Sequence, residues 1–242
     1  MVATYQSNAH QLPSRPNLKT TSLAATLGEE TPPDLCESFN VSGFDDPGVR
    51  ARATVPGYEA IFRENLWPER PPELRAAFEE YQSALEQLCR AMLPVFATAL
   101  DLEPTWFDDK ITDHTSLLLA NWYPPVAGTV APGQLRRGAH TDYGAFTVIA
   151  VEQIPGLEIS VDGSWHGVPL ISGAFVVNLG DLMARWVNDR FDAAIHGAVR
   201  CNIERALISM AGGEYGDVKL QRSLWSRQLE RRPDQRFFGP RR

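Results

Sequence analysis

Cysteine is scarce: Cys36, Cys89 and Cys201 are the only three in 242 residues. They are scattered, odd in number and never in a CxxC pair, which argues against a disulfide framework and against a structural zinc site. A reducing, cytoplasmic setting is the expectation that follows. No apolar run approaches the length that spans a bilayer, and the polar stretch Met1–Leu18 has no apolar signal core. The sequon Asn40-Val41-Ser42 therefore has no secretory context. Positive charge is also in deficit. Against 30 Asp and Glu stand 23 Lys and Arg, and the net charge of −7 speaks against a broad nucleic-acid-binding face. The arginines gathered near the C-terminus (Arg227, Arg231, Arg232, Arg236, Arg241 and Arg242) read as a solvated tail or helix face. Missing too are the GxxxxGK[ST] phosphate loop, the GxGxxG fingerprint, the GxSxG elbow and the HExxH zinc motif.

What is present is a chain with enough apolar residues, 43%, for a sizeable core in one mixed or mainly β domain. Residues 1–70 are rich in Ser, Thr, Asn, Pro and Gly without sustained periodicity, and read as an irregular arm packing on the core. Residues 71–102 form an amphipathic helix region. Pro71-Pro72 opens it, and Leu74, Phe78, Tyr81, Leu85, Leu88, Met92 and Phe96 recur at helical steps along one face. Pro94 is expected to kink or split its far end. From residue 114 to 212 the pattern changes to short β-type runs: Ser116–Tyr123, Ala145–Val151, Leu157–Val161, Ala174–Leu179, Ala194–Val199 and Ala206–Met210. Turns at Pro155-Gly156, Asp162-Gly163 and Ser172-Gly173 separate them, which predicts a sandwich, jelly roll or barrel. Residues 213–242 read as a divergent basic tail, with a short helix from Gln221 to Arg231.

Of the five histidines, His140 and His196 carry the chemistry. In Gly138-Ala-His-Thr-Asp-Tyr-Gly144 an imidazole and a carboxylate stand two residues apart, so on extended backbone they project to one side. His196 lies in a later predicted strand. Two histidines and one carboxylate on one face of an octahedron leave three positions open, the arrangement of non-haem iron(II) oxygenases; zinc is the chemical competitor for such a set. Alone, HxD is a weak signal, and His196 alone reads equally as a core histidine. His114, in Thr112-Asp-His-Thr115, and His166, beside Trp165 on a predicted surface hairpin, read as bystanders. Phe146, Val148 and Trp186 are explained by core packing as well as by a pocket.

The surrounding motifs run in a fixed order: Gly28-Glu-Glu-Thr-Pro-Pro-Asp-Leu-Cys-Glu-Ser-Phe39, Asn121-Trp-Tyr-Pro-Pro125, His140-Thr-Asp-Tyr-Gly144, Pro155-Gly-Leu157, Asp162-Gly-Ser-Trp165, Asn178-Leu-Gly-Asp181 and Arg185-Trp186 before His196. In this the chain resembles the isopenicillin N synthase-like branch of the iron(II)/2-oxoglutarate-dependent dioxygenases, from about Leu23 to Met210. The resemblance implies a mainly β fold with flanking helices around a double-stranded β-helix (jelly-roll) core. It implies Fe(II) on His140, Asp142 and His196, with 2-oxoglutarate and O2 as cosubstrates. Asn121 and Tyr123 match positions near 2-oxoglutarate, and Arg205 matches the arginine that pairs with its distal carboxylate, a task suited to a bidentate guanidinium. Asn178 and Asp181 read as structural turn residues. The implied reaction is oxidation, most commonly hydroxylation, of a small organic substrate with release of succinate and CO2. Partners are then that small molecule, neither nucleic acid nor membrane, with homo-oligomerisation left open.

Three features depart from the family pattern. The arginine is usually followed two places later by a serine, where this chain has Leu207 and carries Ser209 two residues further on. His196 is followed by Gly197 where arginine is usual. The N-terminal strand-and-helix segment is missing ahead of Gly28–Phe39, and the stretch after Gly212 is unfamiliar, so a shortened, divergent member is expected. Two other readings stand beside the leading one: an iron oxidase that uses no 2-oxoglutarate, and a non-catalytic shortened barrel.

Overall fold

The computed structural model describes residues 27–54, 62–112, 114–125, 129–151, 154–198 and 207–214, the last as backbone. Nine strands and three α-helices are found there. They are β1 (Glu37–Ser42), α1 (Pro47–Ala53), α2 (Leu74–Ala99), β2 (Leu117–Tyr123), β3 (Arg137–His140), β4 (Phe146–Val151), β5 (Leu157–Val161), β6 (Ser164–Gly167), β7 (Val176–Leu179), α3 (Asp181–Trp186), β8 (His196–Ala198) and β9 (Leu207–Glu214). The strands form two antiparallel sheets, one in the order β1-β2-β9-β4-β7 and the other in the order β3-β8-β5-β6.

Strand parity sorts the five-stranded sheet into two faces with different jobs. Residues directly opposite in an antiparallel ladder share a face, and successive residues alternate. Val41 pairs with Leu118, and Phe146 and Val148 belong to the same set of positions on β4. All four are buried in one cluster with Leu85, Cys89, Leu93 and Ala97 of α2 and Leu182, Met183 and Trp186 of α3. This is the main core, and it claims Phe146, Val148 and Trp186. The other face carries Asn121, Thr147 and Asn178, all buried, with Thr147 opposite Asn178 in the β4–β7 ladder. Polar side chains on a buried face need partners; Asn121 accepts from Arg137 of the four-stranded sheet, and Asn178 donates to Asp142 just beyond β3.

The helical stripe of the sequence becomes the face that α2 buries. Leu85 lies in the core itself, and Phe78, Tyr81, Leu88, Met92 and Phe96 pack against it. Pro94 does not divide the helix, which runs unbroken to Ala99. Burial of Leu93 and Ala97 on either side anchors that turn in the core, so one missing backbone bond is tolerated. The supposedly irregular arm contributes an ordered strand: β1 pairs with β2 along its whole length, Glu37 opposite Trp122 through Ser42 opposite Leu117. After it, Asp46 caps α1 by accepting from the Gly48 and Val49 amides at 2.7 and 3.0 Å. Asp162-Gly163 makes the β5–β6 hairpin, both residues at positive φ as a two-residue type I′ turn requires. None of the helices among the described residues is long and apolar enough to cross a membrane.

Candidate metal centre

His140 ends β3, and His196 opens β8 directly opposite it in the ladder. Their rings lie 4.4 Å apart between centroids, tilted by 46°. Asp142 follows β3 by two residues and comes between them: Oδ1 is 3.7 Å from His140 Nε2, and Oδ2 is 3.7 Å from His196 Nε2. The three side chains together place their ligating atoms within 4.8 Å of one another, and among the described residues they are the cluster with that property. Both histidines are buried.

The tautomers follow from the backbone. Nδ1 of His140 lies 2.9 Å from the Gly138 carbonyl, and Nδ1 of His196 lies 2.9 Å from the Ala194 carbonyl. A carbonyl can only accept, so each Nδ1–H donates, and the lone pair of each neutral ring sits on Nε2, facing Asp142. Burial, then the neighbouring His196 and Arg137, push His140 down to about 4, so at pH 7 it is a neutral imidazole ready to ligate rather than half of an ion pair. Burial pushes the Asp142 carboxyl up, but His196 and hydrogen bonds from Asn178 and Thr147 outweigh it and hold the group ionised below its ordinary value.

Asn178 Nδ2 donates to Asp142 Oδ2 at 2.8 Å. Asn178, read from sequence as a turn residue, is therefore a strand residue that orients a ligand, with Thr147 beside it. Asp181 also has a local task. It opens α3, accepts from the Thr141 hydroxyl at 3.3 Å, and its own amide donates to the Asp142 carbonyl at 2.8 Å. Burial raises its carboxyl above the usual value. The first amides of a helix lack intrahelical acceptors; here Gly180, Asp181 and Leu182 donate to the carbonyls of Ala145, Asp142 and Gly144. Asn178-Leu-Gly-Asp181 thus clamps the loop that carries Asp142.

Gly197, the departure next to His196, also has a steric basis. A Cβ there would lie 3.0 Å from the Arg137 carbonyl and 3.2 Å from that of Gly138, where β3 bulges against β8.

Asn121 sits within β2, its Oδ1 accepting from Ser38 Oγ at 2.7 Å and from Arg137 Nη1 at 3.0 Å. Tyr123 is buried against Ala198 of the opposing sheet, with Cys36 and Ile154 around them. Arg205 lies outside the described residues. Leu207 falls opposite Tyr123, and Ser209 opposite Asn121. His114 is bonded to Ser116 ahead of β2, and His166 is exposed on the β5–β6 hairpin, both apart from the cluster. Sequence reasoning missed Arg137 and Thr147, which carry no motif of their own; Thr147 becomes visible only once the β4–β7 register puts it beside Asn178.

The donor set fits a divalent iron ion. A metal held about 2.1 Å from each donor brings neighbouring donors to about 3 Å apart, so each 3.7 Å pair needs only a small inward adjustment. One carboxylate and two imidazoles are the facial set that leaves open positions on a non-haem iron centre.

Comparison with known proteins agrees with this chemistry. Residues 114–212 match the 2OG-Fe(II) oxygenase superfamily. Validamycin A dioxygenase of Streptomyces hygroscopicus subsp. limoneus is 34% identical over 169 residues, which is 68% of this chain and 45% of that protein. The 2-oxoglutarate-dependent dioxygenase citB of Monascus ruber is 38% identical over 180 residues, 71% of this chain and 54% of the relative. A full-length Neurospora crassa protein, solved in complex with alpha-KG and thymine, shares the fold with a TM-score of 0.67 at 23% identity, covering 86% of this chain and 62% of that one. The chain spans about half the length of the curated relatives it matches.

Proposed function

Because this chain belongs to the iron(II)/2-oxoglutarate dioxygenase superfamily, we propose that it is an Fe(II)- and 2-oxoglutarate-dependent oxygenase that oxidises, most commonly by hydroxylation, a small organic molecule. The observation that carries this reading is the convergence of His140, Asp142 and His196, with both histidine Nε2 lone pairs turned to one point. We assign the chain to the isopenicillin N synthase-like branch, with residues 114–212 as a jelly-roll oxygenase core. The ordered motifs support the branch, and two antiparallel sheets meeting around a polar site support the core.

Iron(II) in this site supplies the redox chemistry that couples oxidative decarboxylation of 2-oxoglutarate, with O2, to oxidation of the substrate. The chain's residues do the rest. His140 and His196 offer Nε2 donors, each ring fixed by the backbone carbonyl beside its Nδ1. Asp142 supplies the single compensating charge, and Asn178 and Thr147 keep its oxygens in register with the histidines. Burial of both imidazoles keeps bulk water from their ring faces. Asn121, Tyr123 and Arg205 are assigned to 2-oxoglutarate.

The test is anaerobic addition of 2-oxoglutarate to iron(II)-loaded protein. A visible metal-to-ligand charge-transfer band is expected in the native chain and none in His196→Ala. Iron bound without a band would favour an oxidase that ignores 2-oxoglutarate, a reading that Leu207 in the usual serine position supports. No iron bound at all would leave a non-catalytic barrel.

A further inference from the structure

The β3 bulge changes where Arg137 belongs. Residues three apart on a regular strand face opposite sides. Here Arg137 is opposite Ala198 and His140 opposite His196, so three steps along β3 span two along β8. The extra residue restores parity. Arg137, Ala198, His140 and His196 therefore share one face of the four-stranded sheet, the face turned toward Asn121 and Tyr123.

Arg137 is half-buried there, on the strand that ends in His140. Its contacts among the described residues are Asn121 Oδ1 at 3.0 Å and Cys36 Sγ at 4.0 Å, neither of them a carboxylate. A half-buried cation whose hydrogen-bond partners are uncharged calls for an anion. The bond to Asn121 has a second effect. With Ser38 Oγ and Arg137 Nη1 both donating to Oδ1, the amide orientation is fixed and Nδ2 is left with its hydrogens to donate elsewhere. Guanidinium and amide together form an array that only donates, which matches a carboxylate and repels a cation.

We propose that Arg137 binds a carboxylate of the 2-oxo acid cosubstrate and positions Asn121 as a second donor to it. The inference rests on the function proposed above. It also supplies, from β3, polar contacts to the cosubstrate in a chain that carries Leu207 where a hydroxyl is usual.

The test uses the full chain loaded with iron(II) under anaerobic conditions, titrated with 2-oxoglutarate while the charge-transfer absorbance is followed. Arg137→Met is expected to raise the Kd for 2-oxoglutarate by about 10- to 100-fold, the loss that goes with removing a charge-assisted hydrogen bond. Arg137→Lys is expected to recover part of that loss, and the iron Kd is expected to stay at the native value in both variants. A parallel titration with 2-oxopentanoate, which lacks the second carboxylate, identifies the end bound. Weakening confined to 2-oxoglutarate assigns Arg137 to the distal carboxylate, and equal weakening assigns it to the carboxylate both acids share. An unchanged 2-oxoglutarate Kd in Arg137→Met overturns the proposal. So does an iron Kd that rises in step, since that marks a structural role. Failure of the native chain to bind 2-oxoglutarate would overturn the proposed function and this inference together, whereas native binding with indifferent variants would overturn the inference alone.

Discussion

Asp142→Ala is expected to weaken iron(II) binding by roughly a thousandfold or more and to remove turnover with it, because an outer partner of a metal ligand is already worth about 10- to 100-fold. The reason is charge as much as geometry. The cluster holds two imidazoles and one carboxylate, so Asp142 brings the only negative charge within it. A divalent ion stripped of water needs that compensation. Asp142→Asn tests the point, since the amide keeps the shape and one oxygen but removes the charge; its iron Kd should lie far nearer to the alanine variant than to the native chain. Asn178→Leu completes the series. It leaves all three ligands and removes the 2.8 Å hydrogen bond on Oδ2, so a loss of about 10- to 100-fold in iron affinity is expected. Competition with a chelator of known affinity reads all three variants. An Asn178→Leu chain with native affinity would show that the β4–β7 ladder holds Asp142 only by packing.

The ligands are easy to read from sequence and their supports are hard to read, for one physical reason. Ligands announce themselves by residue type: His140 and Asp142 two apart on extended chain, and His196 in an apolar run. The stripe from Leu74 to Phe96 is equally legible, since a helix buries a face at fixed steps. Supports depend on register. Thr147 is an ordinary strand residue until the β4–β7 ladder sets it opposite Asn178, and Arg137 is a charged residue on the wrong side of its strand until a bulge turns it inward. Pairing is a long-range property that local sequence does not encode.

The missed strands make the same case. β3 reads Arg-Gly-Ala-His and has no β-branched residue; pairing with β8, not propensity, makes it a strand. In β1, Phe39 and Val41 alternate with Ser38 and Asn40, a true period of two hidden inside a stretch whose composition reads as loop. The helix α3 has only six residues, too short for periodicity to reveal. Its amides are committed to the loop that bears Asp142, so its position is set by the metal centre as much as by its buried apolar side chains.

That commitment predicts the second large effect. Gly180→Ala is expected to cost about 1–3 kcal/mol of stability, the usual range for overpacking, and to weaken iron binding as well. A Cβ at Gly180 would lie 2.6 Å from the Asp142 carbonyl oxygen and closer still to that of Gly144. Both obstacles are backbone, so no side chain can swing aside. The same two carbonyls accept the Asp181 and Leu182 amides at 2.8 and 3.1 Å. Relief of the clash must therefore lengthen those bonds, and the displaced segment is the one that holds Asp142 against His140 and His196. Gly167→Ala is the control. It lies on an exposed strand with nothing within 4 Å of the added carbon, and alanine costs less backbone entropy than glycine, so its denaturation midpoint should equal or slightly exceed the native one. If Gly180→Ala loses stability yet keeps native iron affinity, the 142–145 loop is held from elsewhere and α3 is only a packing element. A joint loss, absent from Gly167→Ala, would make the close approach at Gly180 the joint through which α3 sets the carboxylate of the metal centre.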